Sequence, residues 1–393
     1  MKMYRGFIAA IIVLSLSGII IYGSEAAEKS PSELVMASLP PEVFQPSKAL
    51  TYTGSPITLR FSTLMAKTHQ IHQSVYEIWL KVIEKRSNGK IQPKMYSAGV
   101  LHAAADGFKA CANNITDMTH GYPVWAPGSF HLMHVMDLPF AFPYRCYHVG
   151  SRVGEELFTK YFKAEYEKCG VYLANYHVMS PYQILSKKPI RQVGDLKGIK
   201  IRTPTGPQVE MMKRLGAIPV FMTTAETYSA FQKGIIDAVL LYDGGFYSMR
   251  LYEVGKYKTG NLGMSTAGVP FCLNRKWFDA LPKDLKRVFY ESMRIASPIA
   301  ALGFEASDMV ARKEMEKAGV VTIDLSPAER QKFEDTFKQV WETFLVENEK
   351  KGLPARQLTE DLKGLSKKYS TWPPEQIMKL ALEQPIPGMI DGM

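Results

Sequence analysis

The sequence predicts an α/β fold of two lobes, with a ligand cleft between them and one long helix crossing both. Three observations predict it. Residues 195–243 read strand, helix, strand, helix, strand in under fifty positions, which requires parallel strands in an α/β layer. Residues 56–178 show a similar alternation and end at the linker-like Met179-Ser180-Pro181-Tyr182. An amphipathic stretch from Asp284 to Lys317 is long enough, at roughly 50 Å, to reach across two lobes.

Order begins at 56–64, where Ile57, Leu59 and Phe61 alternate with polar residues as a strand does. Ile71, Val75, Ile78, Trp79, Val82 and Ile83 then recur at helical spacing over 68–86. Ser87-Asn88-Gly89-Lys90 breaks that helix before a strand over 91–96. A helix over 99–113, a strand over 117–122, a helix over 147–169 and a strand over 170–177 complete the first series. In the organising segment, the strand 199–202 leads to Thr205-Gly206-Pro207, a cap with proline at the first helical position. That helix ends at Gly216. A strand over 218–221 runs into Thr223-x-x-Glu226, a capping box, and the next helix ends at Gly234 before a buried strand over 235–241. A strand over 269–273, the long helix, and helices near 327–351 and 374–383 finish the chain.

The chain has 393 residues, 46% of them hydrophobic and 22% charged, an ordinary globular balance with room for two cores. Its net charge of +10 comes from lysines and arginines scattered beside acids, not from a basic run or a nucleic-acid module. Lys2 and Arg5, the apolar stretch 6–22 and Ser24-Glu25-Ala26-Ala27 describe an export signal cleaved near Ala26 or Ala27, with an uncleaved anchor as the alternative. Residues 28–55, rich in proline and serine, read as an extended arm. Cys111, Cys146, Cys169 and Cys272 lack metal-site spacing and read as buried thiols, although one disulfide is compatible with export.

Catalytic signatures are missing: the sequence has no G-x-S-x-G elbow, H-E-x-x-H, Walker loop or G-x-G-x-x-G. His69-x-x-His72 and His131-x-x-His134 have no third ligand in view, so they read as core or solvated histidines; no metal and no cofactor is expected. Arg202 stands where a strand ends. In open α/β sheets ligands bind beyond that end, and a guanidinium there is placed to meet an anion. Tyr122, Trp125, Tyr182, Tyr242 and Phe246 are all expected at strand ends, on the facing rims of two lobes, with Asp243 between the last two.

Asp195-Leu196-Lys197-Gly198-Ile199-Lys200-Ile201-Arg202-Thr203-Pro204 continues as Leu215-Gly216-Ala217-x-Pro219-Val220, Glu226-x-Tyr228 and Gln232-x-Gly234-x-x-Asp237. With Asn88-Gly89-Lys90, Asp137-Leu138-Pro139-Phe140 and Trp277-x-x-x-Leu281-Pro282, the chain resembles, from about 57 to 345, the DctP-type solute-binding subunits of tripartite ATP-independent periplasmic (TRAP) transporters. The resemblance implies a periplasmic-binding-protein-like fold that closes on its solute and hands it to membrane permease subunits. It implies that Arg202 pairs with the solute's carboxylate. It implies that the chain returns to the first lobe near 268 and to the second along the long helix.

Two departures stand out. Where many members carry Gly-Gln-Glu-Asn, this chain has Ala238-Val239-Leu240-Leu241, and Pro181-Tyr182 stands where some members place a second arginine. One arginine among aromatics suits a monoanion with an apolar or aromatic body.

The expected organisation is therefore a signal over 1–27, an arm over 28–55, lobe I over 56–178 and 268–307, lobe II over 179–267 and 308–360, and a helical tail over 361–393. The ligand residues are Arg202, Tyr122, Trp125, Tyr182, Tyr242, Asp243 and Phe246. The expected partners are a small organic acid and the permease, with no nucleic acid and a monomer or dimer as the assembly. The rival reading is a secreted hydrolase or lyase using Asp243 or a histidine.

Overall fold

The computed structural model describes residues 29–126, 128–142, 147–203, 207–222 and 224–393. Eleven strands occur among them: β1 (Ile57–Ser62), β2 (Ile91–Tyr96), β3 (Met118–His120), β4 (Val171–Val178), β5 (Gln183–Ser186), β6 (Lys200–Thr203), β7 (Ile218–Phe221), β8 (Ala238–Leu241), β9 (Tyr257–Thr259), β10 (Gly268–Asn274) and β11 (Val321–Ile323). They form two sheets, one of five strands in the order β2-β1-β3-β10-β4 and one of six in the order β11-β9-β5-β8-β6-β7.

β6 runs parallel to both β7 and β8, as the strand-helix alternation requires. Each sheet also takes in antiparallel strands at the crossings. β10 lies between β3 and β4, and β5 lies between β8 and β9. The two crossing segments bond to each other: the Met179 amide donates to the Ala267 carbonyl at 2.9 Å and the Tyr182 amide to the Ser265 carbonyl at 2.8 Å. A paired ribbon of this kind bends as a unit, which suits a hinge.

The helices are α1 (Pro31–Ser38), α2 (Glu77–Arg86), α3 (Gly107–Ala112), α4 (Tyr147–Leu157), α5 (Lys163–Lys168), α6 (Pro207–Arg214), α7 (Thr224–Gln232), α8 (Asp243–Ser248), α9 (Arg275–Asp279), α10 (Lys283–Lys317), α11 (Pro327–Glu349), α12 (Ala355–Tyr369) and α13 (Pro374–Glu383). Among the described residues no helix is long and apolar enough to cross a membrane.

α10 is the spine, 35 residues with a buried middle. Pro298 inside it removes one helical donor. Neighbouring side chains add donors nearby: Asn175 Nδ2 to the Met293 carbonyl and Trp79 Nε1 to the Ala296 carbonyl, each at 2.8 Å. Two glycines let other elements approach closely. A Cβ on Gly303 would lie 2.3 Å from Val75, and one on Gly244 would lie 2.4 Å from Ser307.

Most long elements fall where periodicity puts them, and Gly216 and Gly234 take φ of 79° and 76° after their helices. The cap at Thr205 and the capping residue Thr223 lie outside the described residues, as do the signal segment 1–27 and Cys146.

Several expectations need correction. The arm is not simply extended. Ser30 caps α1 in a capping box with Glu33, and Leu34, Val35 and Val43 are buried against the core. The helix expected over 99–113 is confined to Gly107–Ala112 after a 3₁₀ turn. The strand expected from 235 starts at 238, because Ile235 is exposed. α12 joins the two closing helices that the sequence shows, and the short strands β5, β9 and β11 add to the second sheet.

Candidate functional site

Arg202 sits on β6, flanked in register by Val220 of β7 and Val239 of β8, so the strand carrying it is interior to its sheet. The residue is 8% exposed. Among the described residues its Nε has no acceptor and no carboxylate pairs with it. Burial pulls its proton affinity down, and the nearby Tyr182 phenol is the opposing influence. A guanidinium removed from water without a counter-ion is costly, and an anion could offset that cost. The buried hydroxyls of Thr203, Ser180, Ser265 and Thr266 also lack partners among the described residues, and the last three ride on the crossing segments.

Four tyrosines group together here, with Tyr182 next to Arg202. Tyr182 is buried on the crossing segment. Tyr122 follows β3 and stacks on His120, with centroids 5.3 Å apart and planes 7° off parallel. Tyr242 follows β8 and meets Phe304 of α10 edge-on at 5.5 Å. Tyr76 ends a wide π-turn, His72–Tyr76, that opens α2, an irregularity often found at sites.

Their phenols lie within electrostatic reach of one another: Tyr76 with Tyr122 and Tyr242, Tyr122 with Tyr182, and Tyr242 with Tyr182. Burial raises all four, so they stay neutral hydroxyls at any physiological pH. His120 Nε2 lies 3.1 Å from Thr63 Oγ1. Burial pushes that imidazole down to about 3, so it too stays uncharged. Arg202 brings the positive charge to this cluster, with Asp137 within electrostatic reach of Tyr182 and Asp308 of Tyr242.

Trp125, half-buried on the first-sheet side, meets Phe221 at the end of β7, with centroids 6.4 Å apart and planes at 66°. Phe221, Tyr76 and His120 join the candidate residues here without having been singled out in the sequence. The signal for Phe221 was available: it ends the strand neighbouring Arg202's. Tyr76 and His120 looked like ordinary helix and strand positions.

Two expected ligand residues are placed otherwise. Asp243 is committed within the protein: Oδ1 lies 3.0 Å from Lys258 Nζ and Oδ2 lies 3.3 Å from Arg312 Nη1. Both oxygens face cations, although Oδ1 accepts no hydrogen bond among the described residues, so it serves as a counter-ion next to Tyr242. Phe246 has no exposed surface and packs in the core, supporting the wall from behind.

Beside Asp243, Asp308 of α10 accepts from Tyr147 Oη and from the Gly244 amide, each at 2.8 Å. Burial, then the neighbouring Asp243, raises its carboxyl to about 6. The histidine pairs are ordinary. Burial holds His69 down at about 4, His72 Nε2 lies 2.8 Å from Ser97 Oγ, and His134 lies 3.8 Å from Asp137. Cys111, Cys169 and Cys272 are free thiols.

Two α/β sheets joined by paired crossings and a spine helix, with an unpaired guanidinium among tyrosines between them, define a cleft-type solute-binding protein. Residues 61–348 match the family described as "DctP: Bacterial extracellular solute-binding protein, family 7", and the chain belongs to that family. Its members bind solutes for transport, so the hydrolase or lyase reading falls away.

A C4-dicarboxylate-binding periplasmic protein DctP of Rhodobacter capsulatus is 23% identical over 299 residues, covering 75% of this chain and 85% of its own. A TRAP solute-binding protein from Rhodoferax ferrireducens, solved with copurified benzoate, superposes with TM-score 0.75 at 24% identity over 80% of this chain and 98% of that one. A marine-metagenome TRAP protein specific for aromatic acids, solved with 3-hydroxybenzoate, gives TM-score 0.74 at 23% identity over 81% and 100%.

Proposed function

We propose that this protein captures an aromatic or otherwise apolar monocarboxylate and delivers it to the membrane permease of a TRAP transporter. The observation that carries this reading is Arg202, a buried guanidinium with no protein counter-ion among the described residues, with Tyr182 beside it and Tyr122, Tyr242 and Tyr76 grouped next to Tyr182 and to one another. A planar guanidinium holds one carboxylate through two parallel charge-assisted bonds. The neutral phenols offer flat apolar faces to the rest of the solute and hydroxyls to any polar substituent.

A dicarboxylate would need a second cation, and Tyr182 stands where a second arginine would serve it. Two structural neighbours bind benzoate and 3-hydroxybenzoate, which agrees with this choice. We assign the lobes as 56–178 with 268–307 and 179–267 with 308–360, closing about the ribbon at 179–182 and 265–267. We assign residues 1–27 as the export signal that sends the chain to the periplasm.

A thermal-shift screen of carboxylates tests the solute class, because a ligand that binds only the folded state raises the melting temperature. Benzoate-type acids should raise it most and succinate little. Stabilisation by succinate alone would overturn the aromatic assignment while leaving the family intact.

A further inference from the structure

A cavity of about 1100 Å³ shares no lining residue with the arginine-tyrosine cluster. Its apolar walls come from α1 and the residue after it (Leu34, Val35, Leu39), α10 (Leu302, Met309) and α13 (Met378). The first and last of these elements lie outside residues 61–348, so two terminal additions to the family fold enclose the space against the spine helix. It is larger than an ordinary small-molecule pocket, which spans roughly 300–1,000 Å³.

The polar residues around it are arranged unequally. Lys48 and Arg86 both line it, and the Ser47 amide bonds the Arg86 carbonyl at 2.9 Å, which brings the two stretches of backbone together. Arg86 is under-used. Its Nη2 reaches Glu291 at 3.3 Å, that carboxylate is shared with Arg287 at 2.9 Å, and the buried Nε has no acceptor among the described residues. Glu42 lines the cavity too, as do Lys379 and Glu383, which pair with each other at 3.9 Å. Further along α10, Glu305 lines it with Glu375 and His148. The α10 residues that line it, Leu302 to Met309, span about 10 Å of the helix, and Arg86 meets the same helix about 16 Å further back, at Glu291.

We propose that this cavity is a second binding site, for a free long-chain fatty acid whose carboxylate meets Lys48 and Arg86 and whose tail lies along α10 beneath α1 and α13. The acidic groups on the later part of α10 and at the start of α13 disfavour a second anionic head, so a monoanion fits and a dicarboxylate does not.

Titration of the delipidated mature protein with sodium palmitate below its micelle concentration tests this. One equivalent should bind. Lys48→Glu should weaken binding at least tenfold, Met309→Trp should weaken it by narrowing the space beside α10, and Arg202→Ala should change it less than twofold. Circular dichroism and a cooperative melt establish that each variant is folded; Lys48 is exposed, so its substitution leaves the core intact. Vesicles of phosphatidylethanolamine and phosphatidylglycerol should not co-sediment with the protein. No palmitate binding by the unaltered protein, full binding by folded Met309→Trp, loss on Arg202→Ala, or binding to vesicles in place of the free acid would each overturn the proposal.

Discussion

The rings of Trp125 and Phe221 meet edge to face, 6.4 Å between centroids, although one follows a strand of the first sheet and the other ends an outer strand of the second. The contact joins the two sheets beside the arginine and the tyrosines, where a clasp over bound solute belongs. Phe221 is 56% exposed, so it contributes little to the fold. An aromatic pair of this kind is worth about 0.5–1.5 kcal/mol beyond area burial. Phe221→Ala should therefore speed solute release by roughly two- to tenfold, read by stopped-flow fluorescence, with the melting temperature of the unliganded protein nearly unchanged. An unaltered release rate would show that the pair does not hold the cleft shut.

Tyr182 lies within electrostatic reach of both Arg202 and Tyr122 and is buried. Its ring offers a face to an aromatic solute, whereas a short aliphatic acid would engage only the guanidinium. Tyr182→Ala should weaken benzoate binding by tenfold or more and acetate or propionate binding by less than threefold in calorimetry. Equal losses for both would mean the residue sets the arginine's position and not the solute's body.

Asp243 carries a different expectation from the one its sequence position suggests. Because it neutralises Lys258 and Arg312, Asp243→Ala would strand a nearly fully buried ammonium. Breaking a buried pair from one side costs about 3–5 kcal/mol. Denaturant unfolding should register that loss. A solute affinity that falls while stability is unchanged would return the residue to the cleft.

Asp308 predicts a pH signature. Its carboxyl titrates at about 6 in the folded chain against an ordinary value of 3.8, so between these limits the folded state binds more protons than the unfolded. Stability contributed by this group is present at pH 4 and is lost as pH rises through 6. Asp308→Asn should therefore be more stable relative to the parent at pH 7 than at pH 4, by an amount on the order of 2 to 3 kcal/mol. A difference independent of pH would contradict the assignment. The buried groups that oppose this trend, His69 and His120, are present in both proteins and cancel in the comparison.

How far the sequence carried this account follows from which forces act locally. The strand-helix alternation around Arg202 was legible because strand pattern, proline at the first helical position and terminal glycines agree within a few residues. α10 was legible because 35 residues of one periodicity have no other reading. β9 and β11, three residues each, exist because a neighbouring strand pairs with them, a long-range cause with no local trace. α1 escaped because proline at its start resembles a tether until Ser30 and Glu33 are recognised as a capping box. At the site, Arg202 and Tyr182 were singled out from their places beside strands. The ion pairing of Asp243 was not legible because its partner Arg312 lies 69 positions away, and Tyr76 was not singled out because only the fold brings it near Tyr122.

The central claim, that a single buried guanidinium grips the solute's carboxylate, is tested most directly by calorimetry on Arg202→Ala with the carboxylate that stabilises the parent protein most. Removing one partner of a desolvated charge pair costs about 2–5 kcal/mol, so affinity should fall by roughly thirtyfold to several thousandfold while the protein remains folded. An affinity within twofold of the parent would contradict the account.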